Sequence, residues 1–179
     1  MTVIAARGST PRHAGAHMLV GSDGSLLGSI GGGRVEQELV ALAQEISATG
    51  GVRMTEHNLV QDLAMCCGGT MECFAQPLTP ALPILEELMS RRRRRVASVL
   101  ETDLTTGQMQ VVEADGLTSA ARDGQVFREP CLPAPRVLLF GCGHLARAIG
   151  PLASSLGLSL IHISEPTRRR DSSRMPSSA

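Results

Sequence analysis

The sequence predicts an α/β fold with an N-terminal mixed α/β domain, and three observations predict it. Val35, Leu39, Leu42 and Ile46 recur at i, i+4, i+7 and i+11, the spacing of an apolar stripe along a helix. Short apolar runs at residues 3–6 and 71–75 read as strands. Between the two kinds of segment stand glycine-rich junctions, above all Gly28-Ser29-Ile30-Gly31-Gly32-Gly33-Arg34.

That glycine run enters the striped helix directly, and Gly50-Gly51 ends it. Without Cβ atoms the backbone can approach a ligand closely and aim its N–H groups outward. The first N–H groups of a helix have no intrahelical acceptor, and the helix dipole favours negative charge there. The junction therefore suits an anion. It is not a nucleotide-triphosphate loop, because no Lys-Ser or Lys-Thr follows the glycines.

Upstream, the first strand leaves into Gly8-Ser9-Thr10-Pro11-Arg12, where Pro11 fixes a turn and Arg12 offers a fork of donors to a phosphate or carboxylate. Residues 18–20 and 25–27 flank Gly21-Ser22-Asp23-Gly24, the composition of a hairpin loop. Two loops suited to anions thus lie close together in sequence. Beyond the helix, residues 52–56 alternate as a strand, and Cys66-Cys67-Gly68-Gly69 precedes the strand at 71–75. Adjacent cysteines lack the spacing that lets two thiolates share one zinc, so Cys67 reads either as a small buried hydrophobe or as a ligand thiol in a glycine turn.

Residues 80–90 carry Leu82, Leu85, Leu88 and Met89 at helical spacing and run into Arg91 to Arg95, read as cations at a helix C-terminus followed by a solvated linker. Residues 96–101 and 109–113 predict a second hairpin, and 115–124 a loop. The N-terminal domain is expected to span residues 1–130. A new unit is then expected over 131–163: a strand at 136–140, Gly141-Cys142-Gly143-His144-Leu145-Ala146 fitting G-x-G-x-x-A, a helix to Leu156, and a strand at 158–163. This is the first βα(β) unit of an incomplete Rossmann-like domain, in which Gly141, Gly143, His144 and Ala146 are the dinucleotide candidates. Glu165 is the one acid available near the end of its second strand. Residues 164–179 have no apolar period and predict a disordered, non-native tail.

Composition narrows the function. Of the 179 residues 42% are hydrophobic, with three Phe and neither Trp nor Tyr, so the core must be aliphatic and base-stacking platforms are missing. Seventeen basic and seventeen acidic side chains cancel, which argues against a nucleic-acid partner. No stretch has the length of a membrane span, and the five cysteines are an odd number; a cytoplasmic protein with thiols in place of disulfides is expected.

In this order the motifs resemble those of the XdhC/CoxI family, accessory factors for xanthine dehydrogenase and related molybdenum hydroxylases. The resemblance rests on residues 8–12, on Gly15-Ala16 with residues 18–20, on residues 28–33 with Glu36, on Cys67-Gly68-Gly69, on residues 127–130 and on residues 138–144 with Ala146. It implies a non-catalytic chaperone that binds molybdenum cofactor (molybdopterin), supports its sulfuration by a cysteine desulfurase, and helps insert it into the apo-enzyme of a molybdenum hydroxylase. Carried onto this chain, the cofactor-binding candidates are Arg12, Gly31, Gly32, Gly33, Glu36, Cys67, Gly68 and Gly69, with Cys67 a possible contact to molybdenum. Many relatives have Cys where Arg34 stands, so no thiol ligand is expected from that position. NAD(P) is expected only with an intact Rossmann domain, which here is truncated. A homodimer is a further expectation. The competing readings are an NAD(P)-dependent oxidoreductase built on the Rossmann unit and a purely structural adaptor.

Overall fold

The computed structural model describes residues 1–62, 68–141 and 143–163. It divides into two compact units, Met1–Pro133 and Ala134–Ala179. Among the described residues no helix is long and apolar enough to cross a membrane.

The first unit is built from two antiparallel sheets, a hairpin and two helices. Strands β1 (Thr2–Arg7), β5 (Thr70–Ala75) and β4 (Arg53–Asn58) form one sheet in the order β1-β5-β4. Its register sets Val3 against Cys73 and His57 against Met71, with a bulge between Val3 and Ala5 on β1. The hairpin β2 (Met18–Val20) and β3 (Leu26–Gly28) delivers the chain to the glycine run and to helix α1 (Gly33–Thr49). Val35, Leu39 and Ile46 are buried along the predicted stripe, and Leu42 packs partly buried beside them. One core joins Val3, Met18, Ile30, Val35, Leu39, Leu59, Met71 and Cys73. Burial pushes the Cys73 thiol up to about 11, so it behaves as a small hydrophobe.

A 3-10 turn (Thr79–Ala81) and helix α2 (Leu82–Arg93) lead to the second sheet, ordered β7-β6-β9-β8 from β6 (Ser98–Asp103), β7 (Met109–Glu113), β8 (Ala121–Asp123) and β9 (Val126–Cys131). One prediction holds here and one gives way. As expected of cations at a helix C-terminus, Arg91, Arg92 and Arg93 form the last turn of α2, where Arg91 pairs with Glu87 one turn back at 2.7 Å. The expected loop at 115–124 holds the short strand β8, stabilised by pairing with β9 and by Arg122, which donates to Glu72 of β5 at 2.9 Å. Glu72 also accepts from Arg7 at 3.2 Å, linking β1, β5 and β8. A second core of Ile4, Phe74, Leu104 and Phe127 takes two of the three phenylalanines.

The second unit is a βαβ arrangement: β10 (Arg136–Phe140), α3 (His144–Ser155) and β11 (Ser159–Ile163), the two strands parallel and in register from Arg136 opposite Ser159 to Phe140 opposite Ile163. The expected tail at 164–179 lies outside the described residues.

Candidate functional site

The start of α1 is held by one carboxylate. Gly31, Gly32 and Gly33 have φ of 135°, 77° and 69°, and Gly32 at ψ −177° sits in a region that residues with a Cβ almost never enter. Glu36 reaches back from the first turn: its Oε1 accepts from the Ser29 hydroxyl at 2.7 Å, the Ile30 amide at 3.0 Å and the Gly32 amide at 2.9 Å. The Gly31 amide donates to Ser29 Oγ at 3.2 Å. Partial burial works against the Glu36 charge, but the hydrogen bonds from Ser29, Gly32, Ile30 and Gly31 outweigh it and hold the carboxyl below its usual range. The bend therefore satisfies its own amides at residues 30–32. The first N–H groups of the helix, at Gly33, Arg34 and Val35, have no intrahelical acceptor, and of these residues Gly33 and Arg34 are exposed while Val35 is buried.

Two glycine segments, at Gly31 and Gly69, meet the loop at residues 7–12, which carries a glycine of its own, Gly8. A Cβ on Gly31 would lie 2.3 Å from Cγ of Pro11. One on Gly69 would lie 2.5 Å from the Arg7 carbonyl oxygen and 2.6 Å from both the Ser9 carbonyl oxygen and Thr10 Cγ2. Gly8 approaches Gly69 from the other side, its added Cβ falling 3.3 Å from Gly69 Cα. Gly31 and Gly69 are thus glycine because the loop lies against them. Gly32 and Gly68 differ: among the described residues a Cβ on Gly32 meets nothing within 4 Å, and one on Gly68 meets only Val60 Cγ2 at 4.0 Å.

Thr10 Oγ1, within this loop, is buried and has no hydrogen-bond partner among the described residues. Arg12 and Arg34 are exposed, and among the described residues neither makes an ion pair. Cys67 lies outside the described residues, one position before Gly68. Sequence reasoning assigned Glu36 to the ligand and passed over the other use of a carboxylate at that spacing, which is to cap the turn it follows. The acid a few positions into the helix and Ser29 before the glycines were the available signal.

In the second unit α3 begins at His144, with Gly141 at φ 94° and Gly143 at an ordinary φ of −70°. A Cβ on either would meet nothing within 4 Å. The Gly141 amide donates to the Ile163 carbonyl at 2.9 Å, and the Gly141 carbonyl accepts from the His162 ring. His144 is exposed and Ala146 half-buried on the same helix. Glu165, the acid expected near the end of the second strand, and Cys142 lie outside the described residues.

A glycine-bend α/β unit of this construction, followed by a parallel βαβ, defines a class to which several known proteins are similar. Residues 1–58 match the model of the XdhC and CoxI family. It is 27% identical over 161 residues to the molybdenum cofactor insertion chaperone PaoD of Escherichia coli (strain K12), covering 88% of this chain and 49% of that protein. It is 37% identical over 76 residues to the uncharacterized protein YqeB of the same organism, covering 40% of this chain and 14% of that protein. The crystal structure of a xanthine dehydrogenase from Bacillus halodurans shares the fold, with a TM-score of 0.76 at 21% identity over 90% of this chain and 56% of that one. The chain thus spans about half or less of the length of each.

Proposed function

We propose that this chain binds molybdenum cofactor and acts as an accessory chaperone in maturation of a molybdenum hydroxylase. The observation that carries the reading is the meeting of two glycine segments on one glycine-bearing loop, where among the described residues Gly32 and Gly68 are open and a buried hydroxyl, Thr10 Oγ1, has no partner. Likeness to a protein named as a molybdenum cofactor insertion chaperone supports it.

These residues fit the group. Molybdopterin carries a phosphate, which the first-turn amides of the exposed Gly33 and Arg34 and the side chains of Arg12 and Arg34 would hold. Gly32 and Gly68 let the backbone come close, and Thr10 supplies a donor to a ligand acceptor. Cys67 would offer a soft donor beside the dithiolene end. Glu36 acts through the bend as a positioning residue. When bound, the cofactor supplies the metal and dithiolene chemistry that the hydroxylase later uses. The chaperone contributes grip and shielding; sulfuration by a cysteine desulfurase partner and hand-over to the apo-enzyme follow on the same reading.

Anaerobic titration of the purified chain with molybdenum cofactor tests this, with NADH in a parallel sample. Micromolar cofactor binding, weakened tenfold or more in Gly68→Val and Thr10→Val, is expected. Gly68 has no left-handed φ and open space around it, so its variant should fold. No cofactor binding overturns the function, and an unchanged affinity in folded Gly68→Val overturns the pocket. NADH binding without cofactor binding favours the oxidoreductase.

A further inference from the structure

We infer a second ligand site in the first unit, a cavity that takes a small organic cation bearing amidine or amine N–H donors, with the carboxylate of Glu129 as its acceptor. The cavity measures about 410 Å3, within the size range of small-molecule pockets, and shares no residue with the glycine segments at 31–34 or 68–69. Leu88 of α2 and Leu100 of β6 give it apolar walls, while the loop residues Thr118 and Ser119 add hydroxyls.

Glu129 stands on β9 directly across from Leu100 and is among the few buried charged residues described, its side chain 11% exposed. His17 Nε2 lies 2.8 Å from Oε1 and is positive only when protonated, and the N-terminal ammonium of Met1 acts on the carboxylate through space. The other ring nitrogen of His17 is 3.1 Å from Thr2 Oγ1, so the imidazole is fixed at both ends. A carboxylate has several acceptor positions, and the one hydrogen-bonded pairing recorded for it, with His17, uses Oε1. The cavity in front of it is where further donors can come from. Burial pushes the Cys131 thiol up, so the neighbouring cysteine faces the cavity as a neutral SH and adds no competing anion. Carboxylate, hydroxyls and aliphatic walls select a flat or slender cation and repel an anion of the same shape.

Benzamidine, titrated calorimetrically into the full chain with benzoate as the charge-reversed control, tests the inference. One-site saturable binding of benzamidine and none of benzoate is expected, weakened at least tenfold in Glu129→Gln and lost in Ala120→Leu, which puts a larger side chain on the cavity wall. Gly68→Val should leave it unchanged, separating this site from the proposed cofactor site. Failure to saturate at millimolar benzamidine, equal binding of benzoate, or an unaltered dissociation constant in folded Glu129→Gln overturns the site. Should Glu129→Gln not fold, an unaltered constant in Ala120→Leu overturns it as well.

Discussion

Helices α1 and α3 both start at glycine bends, and the two bends treat their amides in opposite ways. Before α1, three glycines at positive φ are tied down by one oxygen of Glu36 and by Ser29, so the amides of residues 30–32 are spent inside the turn. Before α3, Gly143 has an ordinary φ, no side chain caps the helix and no acid stands in its first turn. Glycine content therefore says little about whether a helix start can hold an anion. What decides is which amides a carboxylate in the next turn takes up, here those of Ile30 and Gly32 and not those of the helix's first turn, and whether a glycine faces protein, as Gly31 faces Pro11, or open space.

The comparison breaks most readily at Gly31. Gly31→Val drives a Cβ into the Pro11 ring at a φ that side chains avoid, and a loss of about 3 kcal/mol or more is expected in the denaturation midpoint of the first unit. A midpoint near wild type would mean that the loop and the bend do not meet. Glu36→Ala should cost about 2 kcal/mol, since the amides of Ile30 and Gly32 lose their acceptor, whereas Glu36→Gln keeps an oxygen in place and should recover most of it. The pH dependence sharpens this. Because the folded carboxyl titrates below its unfolded value, its contribution is fully present above the unfolded pKa and is lost as pH falls through the folded one. Wild type should lose stability over that acid window and Glu36→Gln should not lose that part. Identical acid profiles would remove Glu36 from the role given to it.

Much of the fold was legible because its periods were strong. The α1 stripe, the strands at 3–6 and 71–75 and the strand-glycine-helix sequence at 136–156 all follow from residue spacing. β8 was not legible: its three residues, Ala121, Arg122 and Asp123, are all exposed and show no alternation, and they form a strand only because β9 offers an edge and Glu72 binds Arg122. β9 was obscured by Pro130 near its end, a residue that argues against strand interiors. At the candidate site the glycines could be found but not sorted. Gly31 and Gly69 differ from Gly32 and Gly68 only in what lies against them, a tertiary fact that no local pattern carries.

The smallest effects probe the α3 bend. Gly141→Ala should cost about 1–2 kcal/mol, from backbone strain alone, because φ is 94° and nothing stands within 4 Å of the added carbon. Gly143→Ala has neither strain nor clash and should shift stability by no more than about 0.5 kcal/mol in thermal or chemical unfolding. The pair isolates conformation from contact: both glycines border open space, so a difference between them can come only from φ. An equally large loss at Gly143 would mean that something lies close to this turn after all, and the contrast with the self-capped bend of α1 would then rest on the missing carboxylate alone.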